Sequence, residues 1–150
     1  MIRPALPADQ ARIEAIVEAA YRPYLERMDR KPAPMVDDYA GRIAAGETHV
    51  LEEDGEILGI LVLEPGEDFL LLDNIAVDPA HQGGGLGRKL MSFAESEALR
   101  QGYASIRLYT NEKMTENIAF YGRLGYRETG REVLRELYAV HMRKELSAGA

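Results

Sequence analysis

Apolar residues recur along this chain with two periods, and the switches between them lay out its elements. Ile13, Ile16, Val17, Ala20, Tyr21 and Tyr24 fall at helical spacing on one stripe, which predicts an amphipathic helix that starts near Asp9 and is disturbed in its last turn by Pro23. Ahead of it, Ile2, Arg3 and Pro4 can pair as a short first strand. Residues 22–38 lose the period: Arg27, Arg30 and Lys31 are followed by Pro32 and Pro34, which reads as a solvated connector or a cover over a substrate. A short helix is expected from near Asp37 to just before Gly46. Residues 48–52 and 56–63 are two strands joined by Glu53, Asp54 and Gly55, because glycine supplies the positive φ of a tight hairpin turn.

The run 70–77 is apolar and closed by Asp78 and Pro79, as a buried strand is. Beyond a glycine-rich stretch, Leu86, Leu90, Phe93, Ala94 and Ala98 return to helical spacing up to Gly102, a C-terminal cap. Residues 106–110 form another strand, and strand, crossover helix and strand in that order predict parallel neighbours in one sheet. Thr115 or Glu116 starts a further helix whose apolar surface comes from Ile118, Phe120, Tyr121 and Leu124, with Gly125 closing it. Residues 126–146 hold two β-like stretches around Gly130, the second over 137–142. No repeat or low-complexity tract interrupts the pattern, so residues 1–150 are expected to be a single domain.

Composition bounds the function. A chain of 150 residues, 46% hydrophobic and 29% charged, suits one core that buries roughly 70% of the surface exposed by the unfolded chain. A net charge of −7 argues against a general nucleic-acid or anionic-membrane binder, since such partners are held by clustered Lys and Arg. Any polyanionic ligand must then be met by local basic groups and backbone dipoles. The absence of cysteine excludes disulfides, thiolate zinc sites and a Cys acyl-enzyme, and His49, His81 and His141 show no ligand spacing, so no metal is expected. Apolar stretches fall short of the roughly 20 residues that cross a bilayer, and residues 1–4 do not open a signal peptide. A soluble, cytoplasmic protein is the expectation.

The strongest chemical signal is Gln82-Gly83-Gly84-Gly85-Leu86-Gly87, placed between a strand and a helix. Backbone N–H groups at a helix N-terminus lack partners and the aligned peptide dipoles add positive potential, so such a turn is built to hold an anion. A P-loop would need Lys and then Ser or Thr after its last glycine, whereas Gly87 is followed by Arg88 and Lys89. A dinucleotide fingerprint begun at Gly83 or Gly85 would put Arg88 or Leu90 where its third glycine belongs. What remains is Gln-x-x-Gly-x-Gly, which resembles the acyl-CoA pyrophosphate loop of the GNAT superfamily of N-acetyltransferases. A second GNAT landmark follows: Asn117, Ala119, Tyr121, Leu124, Gly125 and Tyr126 stand at matching places in the run ending Leu-Gly-Tyr. The element order agrees along nearly the whole chain.

The resemblance implies an α/β (α+β) GNAT fold, a mixed central sheet of six to seven strands splayed at the acetyl-CoA site and flanked by about four helices. It implies acetyl-CoA as cosubstrate, with pantetheine hydrogen-bonded to backbone near Ile75, Ala76 and Val77. The pyrophosphate would lie on the N–H groups of Gln82, Gly83, Gly84, Gly85, Leu86, Gly87 and Arg88, with Asn117 beside the pantetheine and Tyr121 facing the thioester sulfur. Arg88 is a better phosphate partner than Lys89, which reads as a solvated helix residue.

The chemistry asks for two proton-handling groups. Charge grows on the departing sulfur during attack by an amine, and a phenol such as Tyr121, neutral at pH 7 because its pKa is near 10, can protonate it. A lysine-like ammonium is neutral in only about one molecule in 2,500 at pH 7, so freeing it costs about 4.6 kcal/mol without help. Asp73 is the first candidate for the base, because strand alternation places it on one face with Ile75 and Val77; Glu64 and Glu112 stand in reserve. Bland readings compete: Tyr121 as core, Asn117 as a first-turn polar residue, Asp73 as a structural carboxylate.

The expected activity is acetyl transfer from acetyl-CoA to a primary amine of a small molecule, amino acid or peptide. A non-catalytic acyl-CoA-sensing module and an acetyltransferase acting on a protein are the alternatives. Arg27, Arg30 and Lys31 could bind a substrate carboxylate. A homodimer is common in such families, although no segment marks an interface.

Overall fold

The computed structural model describes residues 1–28, 31–134 and 137–146. Seven strands form one sheet: β1 (Ile2–Pro4), β2 (Thr48–Glu53), β3 (Glu56–Pro65), β4 (Leu70–Val77), β5 (Ser105–Asn111), β6 (Arg127–Leu134) and β7 (Leu137–Glu145), in the order β1-β2-β3-β4-β5-β7-β6. Among the described residues, only β4 and β5 pair in parallel, as their crossover helix requires; the other pairs are antiparallel. β7 enters between β5 and β6, so the last hairpin folds back onto the sheet centre.

Two helices, α1 (Gln10–Tyr21) and α2 (Tyr39–Ala44), cover one face, and α3 (Leu86–Arg100) with α4 (Thr115–Arg123) cover the other. The stripe predicted on α1 is its buried face: Ile13, Ile16 and Val17 are all but inaccessible. Pro23 cannot donate into an α-helical ladder, and the helix gives way to a 3-10 turn over Arg22–Arg27 that carries Tyr24. Asp38 caps α2 by accepting from the Gly41 N–H at 3.1 Å. On α3, Leu86, Leu90, Met91, Ala94 and Ala98 face the sheet, each large side chain contributing about 1.5–3 kcal/mol by leaving water. β3 lies between the two layers and is buried on both faces, which is why its sequence runs apolar from Ile57 to Leu63 without alternation.

One tight turn follows from positive φ. Asp54 (φ 52°) and Gly55 (φ 79°) together make the two-residue connection between β2 and β3, the pattern of a type I′ hairpin.

β4 departs from regular alternation. Val62 of β3 pairs with Asn74, yet the next residue, Leu63, pairs with Leu72, so Asp73 is an extra residue in the strand, a β-bulge. Leu70 and Leu72 belong to the core under α3; past the bulge Ile75 and Val77 pack against that same core, while Ala76 belongs to the core under α1. Asp73 and Asn74 therefore both face the α1 and α2 side. The expectation that Asp73 shares a face with Ile75 and Val77 is corrected by this bulge.

Candidate active site

β4 and β5 pair through three positions, Leu70↔Ile106, Leu71↔Arg107 and Leu72↔Leu108, and then part. β4 continues with β3 as far as Val77↔Gly59, and β5 continues with β7 as far as Asn111↔Ala139. The strands diverge where the bulge begins, and the gap opens a cleft of about 560 Å³. Its floor is Ile75, Ala76 and Val77, whose edge toward β5 has no ladder partner.

The glycine-rich turn forms one end of this cleft. Asp78 holds its base: the carboxylate accepts from Arg12 at 2.8 Å and from the Ala80 N–H at 3.1 Å, and the Asp78 carbonyl accepts from the His81 N–H. The Gln82 side chain donates back to the Val77 carbonyl at 3.3 Å, tying the turn to the end of β4. Gly83 (φ 87°) and Gly85 (φ 81°) occupy the left-handed region, and Gly85 is the N-cap of α3 with no side chain to bond the first N–H groups. The amides of residues 83–88 consequently have no hydrogen-bond acceptor among the described residues. Gln82, Gly83, Gly85, Leu86, Gly87 and Arg88 all line the cleft, whereas Gly84 does not. Lys89 pairs with Glu53 at 3.4 Å in solvent and does not line it. A Cβ on Gly87 would stand 3.3 Å from the Phe120 ring, so glycine there lets the start of α3 sit against α4.

From α4, Asn117 and Tyr121 line the same cleft. Tyr121 is 5% exposed, its ring packed between Phe120 and Tyr126 at centroid distances of 5.6 and 6.1 Å. Burial pushes its phenol pKa up. Tyr21, Tyr39 and Tyr126 bond their hydroxyls to Asn74, the Pro34 carbonyl and Glu95 respectively. The Tyr121 hydroxyl has no such partner among the described residues and is left to the cleft.

A second, smaller cavity of about 100 Å³ shares Tyr21, Ile75, Asn117 and Tyr121 with the first. Asp73 lines it, with Tyr109, Tyr138 and the Pro32 to Pro34 segment opposite. The Asp73 carboxylate pairs with Arg42 at 3.3 Å, and the same guanidinium holds Asp37 at 3.1 Å, Glu47 at 3.0 Å and Glu64 at 3.2 Å. Burial raises the Asp73 pKa, opposed by Arg42 and reinforced by the neighbouring carboxylates. Glu64 is thus a member of the Arg42 cluster, and Glu112 pairs with Arg131 at 3.5 Å. Arg27 is engaged by Glu116 at 2.8 Å, pulling that carboxyl down to about 2, so it is not free for a substrate carboxylate; Arg30 lies outside the described residues.

Sequence reasoning missed the polar chain beneath the cleft. Tyr21 donates to the Asn74 side-chain Oδ1 at 2.7 Å, and the Asn74 Nδ2 donates to the Tyr39 hydroxyl at 3.0 Å, fixing α1 and α2 against β4. The signal was present as two adjacent polar residues, Asp73 and Asn74, in an otherwise apolar strand. Among the described residues, no group of acidic, His or Cys side chains could hold a metal ion, and no helix is long and apolar enough to cross a membrane.

A mixed sheet that parts over an uncapped helix N-terminus defines an α/β protein built to hold a phosphorylated ligand along its strand edge. The chain belongs to the acetyltransferase (GNAT) domain family, whose sequence model matches residues 44–128. It is 33% identical over 78 residues to the [ribosomal protein bS18]-alanine N-acetyltransferase of Escherichia coli K12, spanning 52% of this chain and 53% of that protein. It is 44% identical over 52 residues to mycothiol acetyltransferase of Streptosporangium roseum, 35% of this chain and 15% of that one. The chain thus matches about half the length of the first of these relatives and a small part of the second. Among solved structures, yncA of Salmonella typhimurium, described as an acetyltransferase and solved with its cofactor acetyl-CoA, superposes with TM-score 0.73 at 27% identity, covering 100% of this chain and 95% of that one. The PaiA N-acetyltransferase of Thermoplasma acidophilum, in complex with coenzyme A, shares the fold with TM-score 0.79 at 16% identity over 97% of this chain and 98% of that one.

Proposed function

We propose that this chain is an acetyl-CoA-dependent N-acetyltransferase that moves acetyl to a primary amine of a small molecule, amino acid or peptide by direct attack. One observation carries the reading: where β4 and β5 part, one cleft offers both acceptor-free amides at residues 83–88 and the Tyr121 hydroxyl. The Salmonella relative bound to acetyl-CoA supports the choice of ligand.

Bound acetyl-CoA supplies an acyl group activated as a thioester. The amides of residues 83–88 hold its diphosphate, the Gln82 amide being bonded instead to the Pro79 carbonyl at 3.4 Å, with the Arg88 guanidinium alongside, and the open edge of Ile75, Ala76 and Val77 together with Asn117 aligns the pantetheine arm. Backbone N–H groups of that edge polarise the thioester carbonyl. Tyr121 donates its proton to sulfur as the C–S bond breaks and the C–N bond forms; burial keeps the phenol protonated for this step. Asp73 accepts the proton leaving the amine, directly or through one water, and its raised pKa makes it a stronger base than an exposed aspartate.

The test is thiol release from acetyl-CoA by the purified protein against a panel of amines. Coenzyme A binding with no thiol release above background for any amine would replace this reading by that of a sensing module.

A further inference from the structure

Among the described residues, α1 and α2 pack mainly on β2, β3 and β4, and the β5, β7 and β6 part of the same face carries a row of arginines. Arg107 of β5 stands directly opposite Arg143 of β7, which stands directly opposite Arg127 of β6. Ile106 and Leu108, the neighbours of Arg107, are buried under α3, so the row lies on the other face. Like charges opposite one another in a sheet repel, and a chain of net charge −7 has no general surplus of cations to place there. A groove of about 420 Å³ runs beside Arg107 and Arg143. Its other charged residues are occupied: Arg131 holds Glu128 and Glu112, and His141 holds Glu132 at 2.7 Å. Arg143 stands at ion-pair distance from Glu145, but its Nε makes no hydrogen bond there and its guanidinium is not tied down as Arg131 is. Arg107 has no carboxylate within ion-pair distance among the described residues; its guanidinium lies over the Phe69 ring at 4.4 Å, and its Nε is buried without a hydrogen-bond partner. A guanidinium stacked on a ring beside a groove, with no carboxylate to neutralise it, leaves its accessible N–H groups to an incoming anion.

The groove lies near the second, smaller cavity, the one that Asp73 lines. Tyr109, two residues along β5, lines that cavity and packs on His141 at 5.7 Å between centroids. Asp73 is two residues past Leu71, the partner of Arg107; ladder rise and spacing alone would put the two Cα atoms roughly 8 Å apart, and the parting of the strands after Leu72 widens that distance. At the Asp73 end, four carboxylates surround the single Arg42 guanidinium, a field that favours an ammonium. The surface is thus negative at the reacting end and positive one short span away.

We infer that the acceptor is a primary amine bearing a carboxylate or phosphate on the order of 10 Å from its nitrogen, with that anion docked on Arg107 and Arg143. This rests on the acetyl-transfer reading. The probes are four tripeptide amides with free N-termini, Ala-Ala-Glu, Ala-Ala-phosphoserine, Ala-Ala-Gln and Ala-Ala-Lys, assayed by thiol release with wild type, Arg107→Gln and Arg107→Lys. Wild type should show KM about tenfold lower for the anionic peptides than for the Gln peptide, and highest for the Lys peptide, with similar kcat. The glutamate and phosphoserine arms identify which anion fits. Arg107→Gln should abolish the preference while leaving the Gln peptide unaffected, and Arg107→Lys should keep part of it; thermal melting of both variants separates docking from folding. Equal KM values across the four peptides, equal losses for all of them in Arg107→Gln, or inert peptides beside acetylated alkylamines would each overturn the inference. If no amine at all is acetylated, the transfer reading fails instead. Calorimetry with N-acetyl-Ala-Ala-Glu amide and its Gln counterpart then decides docking alone, equal affinities refuting it.

Discussion

Tyr121→Phe separates catalysis from architecture because the ring and the hydroxyl do different things. The ring packs against Phe120 and Tyr126 at 5.6 and 6.1 Å, contacts that phenylalanine keeps. The hydroxyl opens on the cleft and has no hydrogen-bond partner among the described residues, so its removal forfeits no protein hydrogen bond. Leaving a buried polar group unpaired costs about 1–3 kcal/mol, and because the cleft admits water the lower end applies. The variant should therefore melt at the wild-type temperature or a few degrees above it, about 2–4 °C per kcal/mol for a chain of this size. Coenzyme A affinity, set by the amides of residues 83–88, should not change. Turnover should fall roughly 10²-fold or more, equivalent to about 2.7 kcal/mol of barrier, measured as thiol release at saturating amine. A pH arm sharpens the test. Burial raises the Tyr121 pKa above its ordinary 10, so the acid form persists past that value and the wild-type rate should show no alkaline fall near pH 10 from loss of this proton. Unchanged turnover in Tyr121→Phe would remove the phenol from the mechanism, and a large drop in melting temperature would show that the hydroxyl is structural.

Gly85→Val should abolish coenzyme A binding, because Gly85 sits at φ 81° and a branched side chain there both strains the turn and stands over its amides; normal binding by calorimetry would refute the loop assignment. Asp73→Asn should lower kcat/KM most at neutral pH, where the carboxylate is the base, while coenzyme A binding persists. The same substitution has a stability sign. Burial raises the folded-state pKa of Asp73, so its protonated form is favoured by folding, and that contribution is lost as pH rises through the raised value. The asparagine variant should thus be relatively more stable at pH 7 than in acid, and a gain independent of pH in thermal melts would contradict the shift.

The elements were legible because each rests on a local rule: the α1 stripe, the Asp54-Gly55 turn, and glycines at the N-cap and beyond the C-terminus of α3 all act within a few residues. The cleft was legible for the same reason, since Gln82 to Arg88 announce an uncapped helix start in sequence. What periodicity could not supply was the phase of β4. Exposure alternates without interruption from Leu70 to Val77, but the bulge changes which face each half of that alternation means. The Arg42 cluster was equally hidden, because Asp37, Glu47, Glu64 and Asp73 meet only after three separate elements pack.

The bulge is also what opens the site, and deletion of Asp73 would test this. The last β4–β5 pair is Leu72↔Leu108, and the extra residue follows at once. A bulge bends and twists its strand and interrupts the ladder, so β4 leaves β5 at that residue while staying paired with β3 on its other side. Removing Asp73 would put Asn74 next to Leu72, and the faces would still agree: Leu72 toward α3, Asn74 toward Tyr21 and Tyr39, Ile75 toward α3. The shortened strand keeps its buried set and is free to extend the parallel ladder beyond Leu72, closing the edge on which pantetheine would lie. The deletion should fold with a melting temperature near wild type yet lose coenzyme A binding, whereas Asp73→Asn, which keeps the extra residue, should retain it. A folded deletion variant that still binds coenzyme A with wild-type affinity would show that the splay has another cause.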